Sequence, residues 1–187
     1  MPIPDFNHNG VLPPHMGLPT DPAQLSPYPV TAFEVCEKFG TSLERRNILR
    51  GWLELRAALR QFGFPSGFQW LDGSFMEDVE ARRGSPPNDI DVVSFLPAGN
   101  PQIHNAALSS LLANRAGVKT RYKVDHLIVM LFWPGHVLIE QSRYWCGLFS
   151  HRRADGIWKG MLKVDLGPQA DDDAAREHLE SLELQSF

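Results

Sequence analysis

Apolar positions recur along this chain with two periods, and each change of period marks a change of element. From Ile48, the residues Trp52, Leu55, Leu59 and Phe62 follow at i+4, i+7, i+11 and i+14, the stripe of a helix that buries one face. Thr41-Ser42-Leu43-Glu44 precedes that stripe in a capping-box pattern, and Gly63 follows it where a helix can close. A shorter helix is expected over residues 30–39, ending at Gly40. Residues 64–71 then lead into what reads as the first strand of a sheet, and Ile90, Val92, Val93 and Phe95 make a second. Asn100-Pro101 has the form of an N-cap with proline at the first helical position. A helix through Ile103, Ala107, Leu108, Leu111 and Leu112 is expected to stop at Gly117. Residues 120–131 supply a strand buried over its second half. Over residues 133–166 the periodicity fades: Trp145, Leu148, Phe149, Ile157 and Trp158 predict a packed, partly irregular layer before a strand at 161–166. Asp171 is expected to cap a last helix with Ala175, Leu179 and Leu182 on its apolar face. Helices and strands alternate in this way, so the fold class is α/β.

Proline changes the picture at the N-terminus. Residues 1–30 hold eight of the fifteen prolines and two charged residues, Asp5 and Asp21. Proline fixes φ and removes a donor, so this segment is expected to be neither a helix nor a central strand. It reads as an extended arm laid over the body through Ile3, Phe6, Val11 and Leu12, with His8 and His15 structural or facing solvent. The chain then divides into an arm (1–30), a domain (31–166) and an acidic helix or tail (167–187).

Charge divides the same way. Residues 165–187 carry seven acids against Arg176, a net of −6, which leaves +2 on residues 1–164 out of the total of −4. Basic residues cluster at Arg115, Lys119, Arg121 and Lys123 and again at Arg143, Arg152, Arg153, Lys159 and Lys163. Such clusters suit a triphosphate or a short nucleic acid. No apolar run approaches the ~20 residues that span a bilayer, and the start, MPIPDFNHNG, lacks a basic and apolar leader, so a cytoplasmic protein without membrane contact is expected. Cys36 and Cys146 are too few for a zinc site and are expected to be buried, reduced thiols.

The chemistry concentrates in residues 71–95, LDGSFMEDVEARRGSPPNDIDVVSF. Asp89 and Asp91 are one residue apart at the start of a strand, so their side chains share a face. Two carboxylates that close repel unless a cation lies between them, which points to a divalent metal. Gly73-Ser74, at the end of the preceding strand, allows close backbone approach to a phosphate, and a helix N-terminus after it would add free N–H donors.

Leu71-Asp72-Gly73-Ser74 followed by Asp89-Ile90-Asp91-Val92 resembles the signature of the polymerase-β-like nucleotidyltransferases. The loop between the two halves is slightly long for that family, with Arg82-Arg83-Gly84-Ser85-Pro86-Pro87 reading as an insertion. Ile3-Pro4-Asp5-Phe6, Gly10-Val11-Leu12-Pro13-Pro14 and Lys159-Gly160 are similar to a bacterial group of minimal members. The resemblance implies a near-minimal single domain with a mixed sheet and helices packed against it. It implies transfer of a nucleoside monophosphate from an NTP (ATP among them) or dNTP to a hydroxyl, with Mg2+ or Mn2+ held by Asp89, Asp91 and a third acid, which by position is Asp125. Gly73 and Ser74 would cradle the phosphates, with Arg152 and Lys159 near the nucleotide. In size and layout the chain also resembles phage-defence enzymes of the Hailong type, which build short DNA oligomers on their own C-terminus. Ser186 would then be the acceptor hydroxyl, with the acidic tail drawn across the basic cleft face. An oligonucleotide product, or a partner protein of the same defence system, would follow. A non-catalytic nucleotide-binding regulator, such as an antitoxin-like partner, is the alternative class, and a structural module with a solvated Asp-x-Asp face a third.

Overall fold

A computed structural model describes residues 2–98, 114–167 and 169–184. Among these residues five strands form one mixed sheet: β1 (Tyr28–Val30), β2 (Phe68–Asp72), β3 (Ile90–Leu96), β4 (Val124–Met130) and β5 (Leu162–Asp165), in the spatial order β1-β5-β2-β3-β4. The pairs β1–β5 and β3–β4 are parallel, while β2 runs antiparallel to both β5 and β3. The sheet thus begins earlier than residues 64–71. Tyr28-Pro29-Val30, inside the proline-rich segment, adds an edge strand, where Pro29 is tolerated.

Side-chain alternation gives the sheet two faces. One is packed by α1 (Ala32–Phe39), α2 (Leu43–Gln61), α4 (Arg115–Tyr122) and α6 (Gln169–Leu184), which with Leu71, Ile90, Val92, Val124, Leu162 and Val164 form the main core. On the other face Val93, Phe95 and Val129 pack with Trp145 and Phe149 of α5 (Gly135–Phe149). Polar groups buried on the first face are bonded to each other. Trp52 Nε1 donates to Gln69 Oε1 (2.9 Å), Gln69 Nε2 donates to Ser94 Oγ (2.9 Å), and Ser94 Oγ meets His126 Nε2 (2.8 Å). His126 thus points away from its neighbour Asp125, and burial lowers its pKa to about 4.

Several elements differ from the sequence expectation. The capping box lies at Thr31 and Glu34 of α1, while Ser42 alone caps α2 by accepting from Arg45 N. Asp171 lies inside its own helix, which starts at Gln169, and its carboxylate accepts from Ala32 N (2.7 Å) and tethers α6 to the start of α1. Gly117 lies inside α4, which runs to Tyr122 before Lys123 turns left-handed into β4. The expected irregular layer after residue 133 contains the fifteen-residue α5. Most of the helix expected from Asn100, and the end of the chain including Ser186, lie outside the described residues. Among the described residues no helix is long and apolar enough to cross a membrane.

Cys36 is buried as expected and burial pushes its thiol up to about 12, but Cys146 on α5 is exposed. A thiol reagent at mildly alkaline pH is expected to label one cysteine in the native protein and two in denaturant. Native labelling that survives Cys146→Ser would overturn this assignment.

Candidate active site

Pairing in the sheet brings three carboxylates into one row: Asp72 on β2 stands opposite Asp91 on β3, and Asp91 opposite Asp125 on β4. On the same face the next two rows are apolar, Trp70–Val93–Leu127 and Phe68–Phe95–Val129, which seat α5. The acids therefore lie at the end of that face, where they line a cleft of about 320 Å3. Seven of the eight residues expected at a site line it, namely Gly73, Ser74, Asp89, Asp91, Asp125, Arg152 and Lys159, while the eighth, Ser186, lies outside the described residues.

The turn after β2 is shaped by its closeness to Asp91. Gly73 has φ +87°, and a Cβ there would lie 2.2 Å from Asp91 Oδ2, so glycine is required both for the conformation and for the contact. Ser74 then opens a single 3-10 turn, Ser74–Met76, before the five-residue α3 (Val79–Arg83) starts from its cap Asp78. This corrects the expectation of a helix starting directly after Gly-Ser. Arg82 and Arg83, expected in an inserted loop, form the end of α3 and face the cleft.

The acids differ in their partners. Asp89 pairs with Lys119, and Asp125 accepts from Arg115 Nε at 2.6 Å with Lys119 Nζ at 3.5 Å. Burial alone would raise the Asp125 carboxyl, but these two cations outweigh it and hold it below the usual range. Among the described residues no hydrogen bond or ion pair reaches the Asp91 carboxylate. Its pKa is raised, first by desolvation, then by Asp89 and Asp125. Asp72 is fully buried and pushed up to about 7 by desolvation, against the opposing pull of Lys159.

Lys159 and Arg152 line the cleft with their donors already engaged. Lys159 is 2% exposed, and its Nζ lies 3.0 Å from Asp72, 3.1 Å from Glu77 and 3.1 Å from the Gly73 carbonyl. The contact to Asp72 is an ion pair without hydrogen-bond geometry, since Asp72 Oδ1 accepts no hydrogen bond. Arg152 grips Asp155 and donates to the Asn9 carbonyl (2.7 Å), pinning the N-terminal arm. The cations that face the cleft free of ion pairs among the described residues are Arg83 and Arg153. Asp72 and Glu77 had no role in the sequence reading. Asp72 was legible in principle, because it belongs to the same strand face as Trp70, whereas the Glu77–Lys159 pairing spans 82 residues and leaves no local pattern.

Lys159→Met is accordingly expected to act on the fold. It strands the Asp72 carboxylate in the interior and leaves Glu77 with Arg82 as its remaining cation, a loss of about 3–5 kcal/mol for a broken buried pair. Denaturant unfolding reads this directly. A variant as stable as the wild type would return Lys159 to the role of a phosphate ligand.

Residues 4–165 match a family of unknown function, DUF6932. The chain belongs to that family. The matched span takes in all five strands and every residue lining the cleft, and it ends before α6. No curated protein and no solved structure matches the chain.

The donors fit a hard divalent cation only after a rearrangement. Carboxylate oxygens dominate the row, as Mg2+ or Mn2+ requires. As they stand, no three acid, histidine or cysteine side chains among the described residues are grouped to hold an ion. Lys119 bridges Asp89 and Asp125, Arg115 holds Asp125, and both of these cationic side chains are about half exposed.

Proposed function

We propose that this cleft is the active site of a metal-dependent nucleotidyltransferase of near-minimal size, transferring a nucleoside monophosphate from an NTP or dNTP to a hydroxyl and releasing pyrophosphate. The observation that carries the reading is the Asp91 carboxylate, unpaired among the described residues, in register between Asp72 and Asp125 and pressed against the Gly73-Ser74 turn. Asp89, Asp91 and Asp125 are the residues that would hold Mg2+ or Mn2+. When bound, such a cation lowers the pKa of the acceptor hydroxyl and offsets charge on the phosphates. Once displaced from the acids, Lys119 and Arg115 can turn to the triphosphate together with Arg83 and Arg153, while Ser74 offers its hydroxyl and the turn its backbone. Lys159 and Arg152 act by holding that turn and the arm in place.

The acceptor distinguishes two versions of the proposal. No residue of α6 lines the cleft, and α6 docks its acids on Arg50, Arg56 and Arg60 rather than on the cleft face. This supports a separate acceptor molecule over Ser186, and with it a weaker case for self-primed oligomers in phage defence. The pairing of Lys119 with Asp89 favours one further reading, a nucleotide-binding regulator that never turns over. Incubation with Mg2+ and each NTP or dNTP decides among them. Pyrophosphate release with unchanged protein mass means a separate acceptor, and a mass ladder lost in Ser186→Ala means self-priming. Nucleotide binding without pyrophosphate release would leave the regulator.

A further inference from the structure

A second cavity of about 310 Å3 adjoins the acidic cleft and shares Asp91, Leu148 and Arg153 with it. Its character is different. Leu127 of β4 and the α5 residues Tyr144, Trp145, Leu148 and Phe149 make most of its wall. The aromatic part is braced: Trp145 meets Phe149 edge-on with centroids 5.5 Å apart, Tyr144 meets Trp145 at 4.8 Å, and Trp145 Nε1 donates to Gln141 Oε1 (3.1 Å). Trp145 and Phe149 are nearly buried parts of this wall, whereas Tyr144 is 52% exposed and lines the cavity beside them. Arg115 and Arg153 stand at the rim.

A rigid aromatic wall with a cationic rim suits a planar heteroaromatic ring that carries an anionic chain, because the ring stacks and the chain meets the arginines. Each cavity is at the small end of the ~300–1,000 Å3 typical of ligand sites, and a molecule with two chemically distinct halves would occupy both. We propose that this second cavity takes the nucleoside half of the substrate whose phosphates lie in the acidic cleft, with Tyr144 as the stacking face and Arg153 at the join. The proposal rests on the nucleotidyltransferase reading of the cleft and adds to it where the base lies.

Binding of ATP, CTP, GTP, UTP and the four dNTPs to the full chain with Mg2+, beside inorganic tripolyphosphate, tests it. For the tightest nucleotide, Tyr144→Ala is expected to weaken binding on the order of 5- to 100-fold, the loss seen when a stacked aromatic is removed. Tyr144→Phe should retain affinity, and tripolyphosphate binding should stay unchanged in both variants. Tyr144→Leu, which keeps bulk without a ring, serves as the second variant, and thermal melts check that all are folded. Wild-type nucleotide affinity in folded Tyr144→Ala, or an equal loss for tripolyphosphate, overturns the subsite and leaves the cleft reading intact. If the wild-type chain binds neither nucleotide nor tripolyphosphate, the cleft reading falls and this inference with it.

Discussion

Asp91→Asn is expected to abolish metal-dependent pyrophosphate release, by about 100-fold or more, while leaving the protein as stable as the wild type or more so in metal-free buffer. The activity loss follows from removing the central carboxylate of the row, since a metal contributes several kcal/mol of charge stabilisation and each 1.36 kcal/mol is about tenfold in rate. The stability effect follows from its environment. A carboxyl whose folded pKa is raised favours the folded state most below the ordinary carboxylate pKa, and that advantage is lost as pH rises to the raised folded value. At neutral pH the wild type therefore bears the cost of a desolvated charge beside Asp89 and Asp125, and the amide removes it. Asp125→Asn should lose activity without any gain in stability, because Asp125 is already compensated by Arg115 and Lys119. Activity assays and melts on the same preparations suffice, and near-normal turnover by Asp91→Asn would end the metal assignment.

Asp172→Ala is expected to cost about 3–5 kcal/mol, the loss for stranding a buried charge, which for a chain of this length is a fall in Tm of roughly 6–20 °C. Asp172 is fully buried and Arg56 is 1% exposed; Arg56 Nε lies 3.0 Å from both carboxylate oxygens, and Arg60 adds a contact at 2.5 Å. Arg56 also donates to Gln69 and to the Asp165 carbonyl, so it joins α2, the sheet and α6. Replacing both charges with apolar residues, Arg56→Met with Asp172→Leu, should restore much of the loss. Equilibrium unfolding of the two single variants and the double variant measures the coupling. Additive single losses would mean that the pair is not a unit.

The sequence was most informative where a pattern is local. The apolar stripe of α2 and the alternation in β3 and β4 yield to period counting, and the α/β class with them. Gly73-Ser74 and Asp89-Ile90-Asp91 locate the cleft because turn chemistry and strand alternation act over a few residues. The helix α5 escaped because Pro134-Gly135 opens it and Gly147, a weak helix former, lies within its last turn, although Leu138, Trp145 and Phe149 keep a helical face. Strand pairings and buried ion pairs are long-range, so nothing near Lys159 in the chain announces that Asp72 and Glu77 consume its charge. The same holds for Asp171, whose capping partner lies 139 residues away.

The alignment of Asp72, Asp91 and Asp125 also bears on how copies of this protein fail. Slippage of β3 by one residue would turn Asp91 into the core under α1 and α2 and present Val92 to the cleft, since neighbouring residues point to opposite faces. The pairings that line up the acids are those that close the sheet, so no well-packed alternative has the acids slightly out of line. Damage to the sheet should therefore lower the number of competent molecules and leave the competence of each survivor intact. In a population of partly destabilised variants, activity should track the folded fraction in simple proportion.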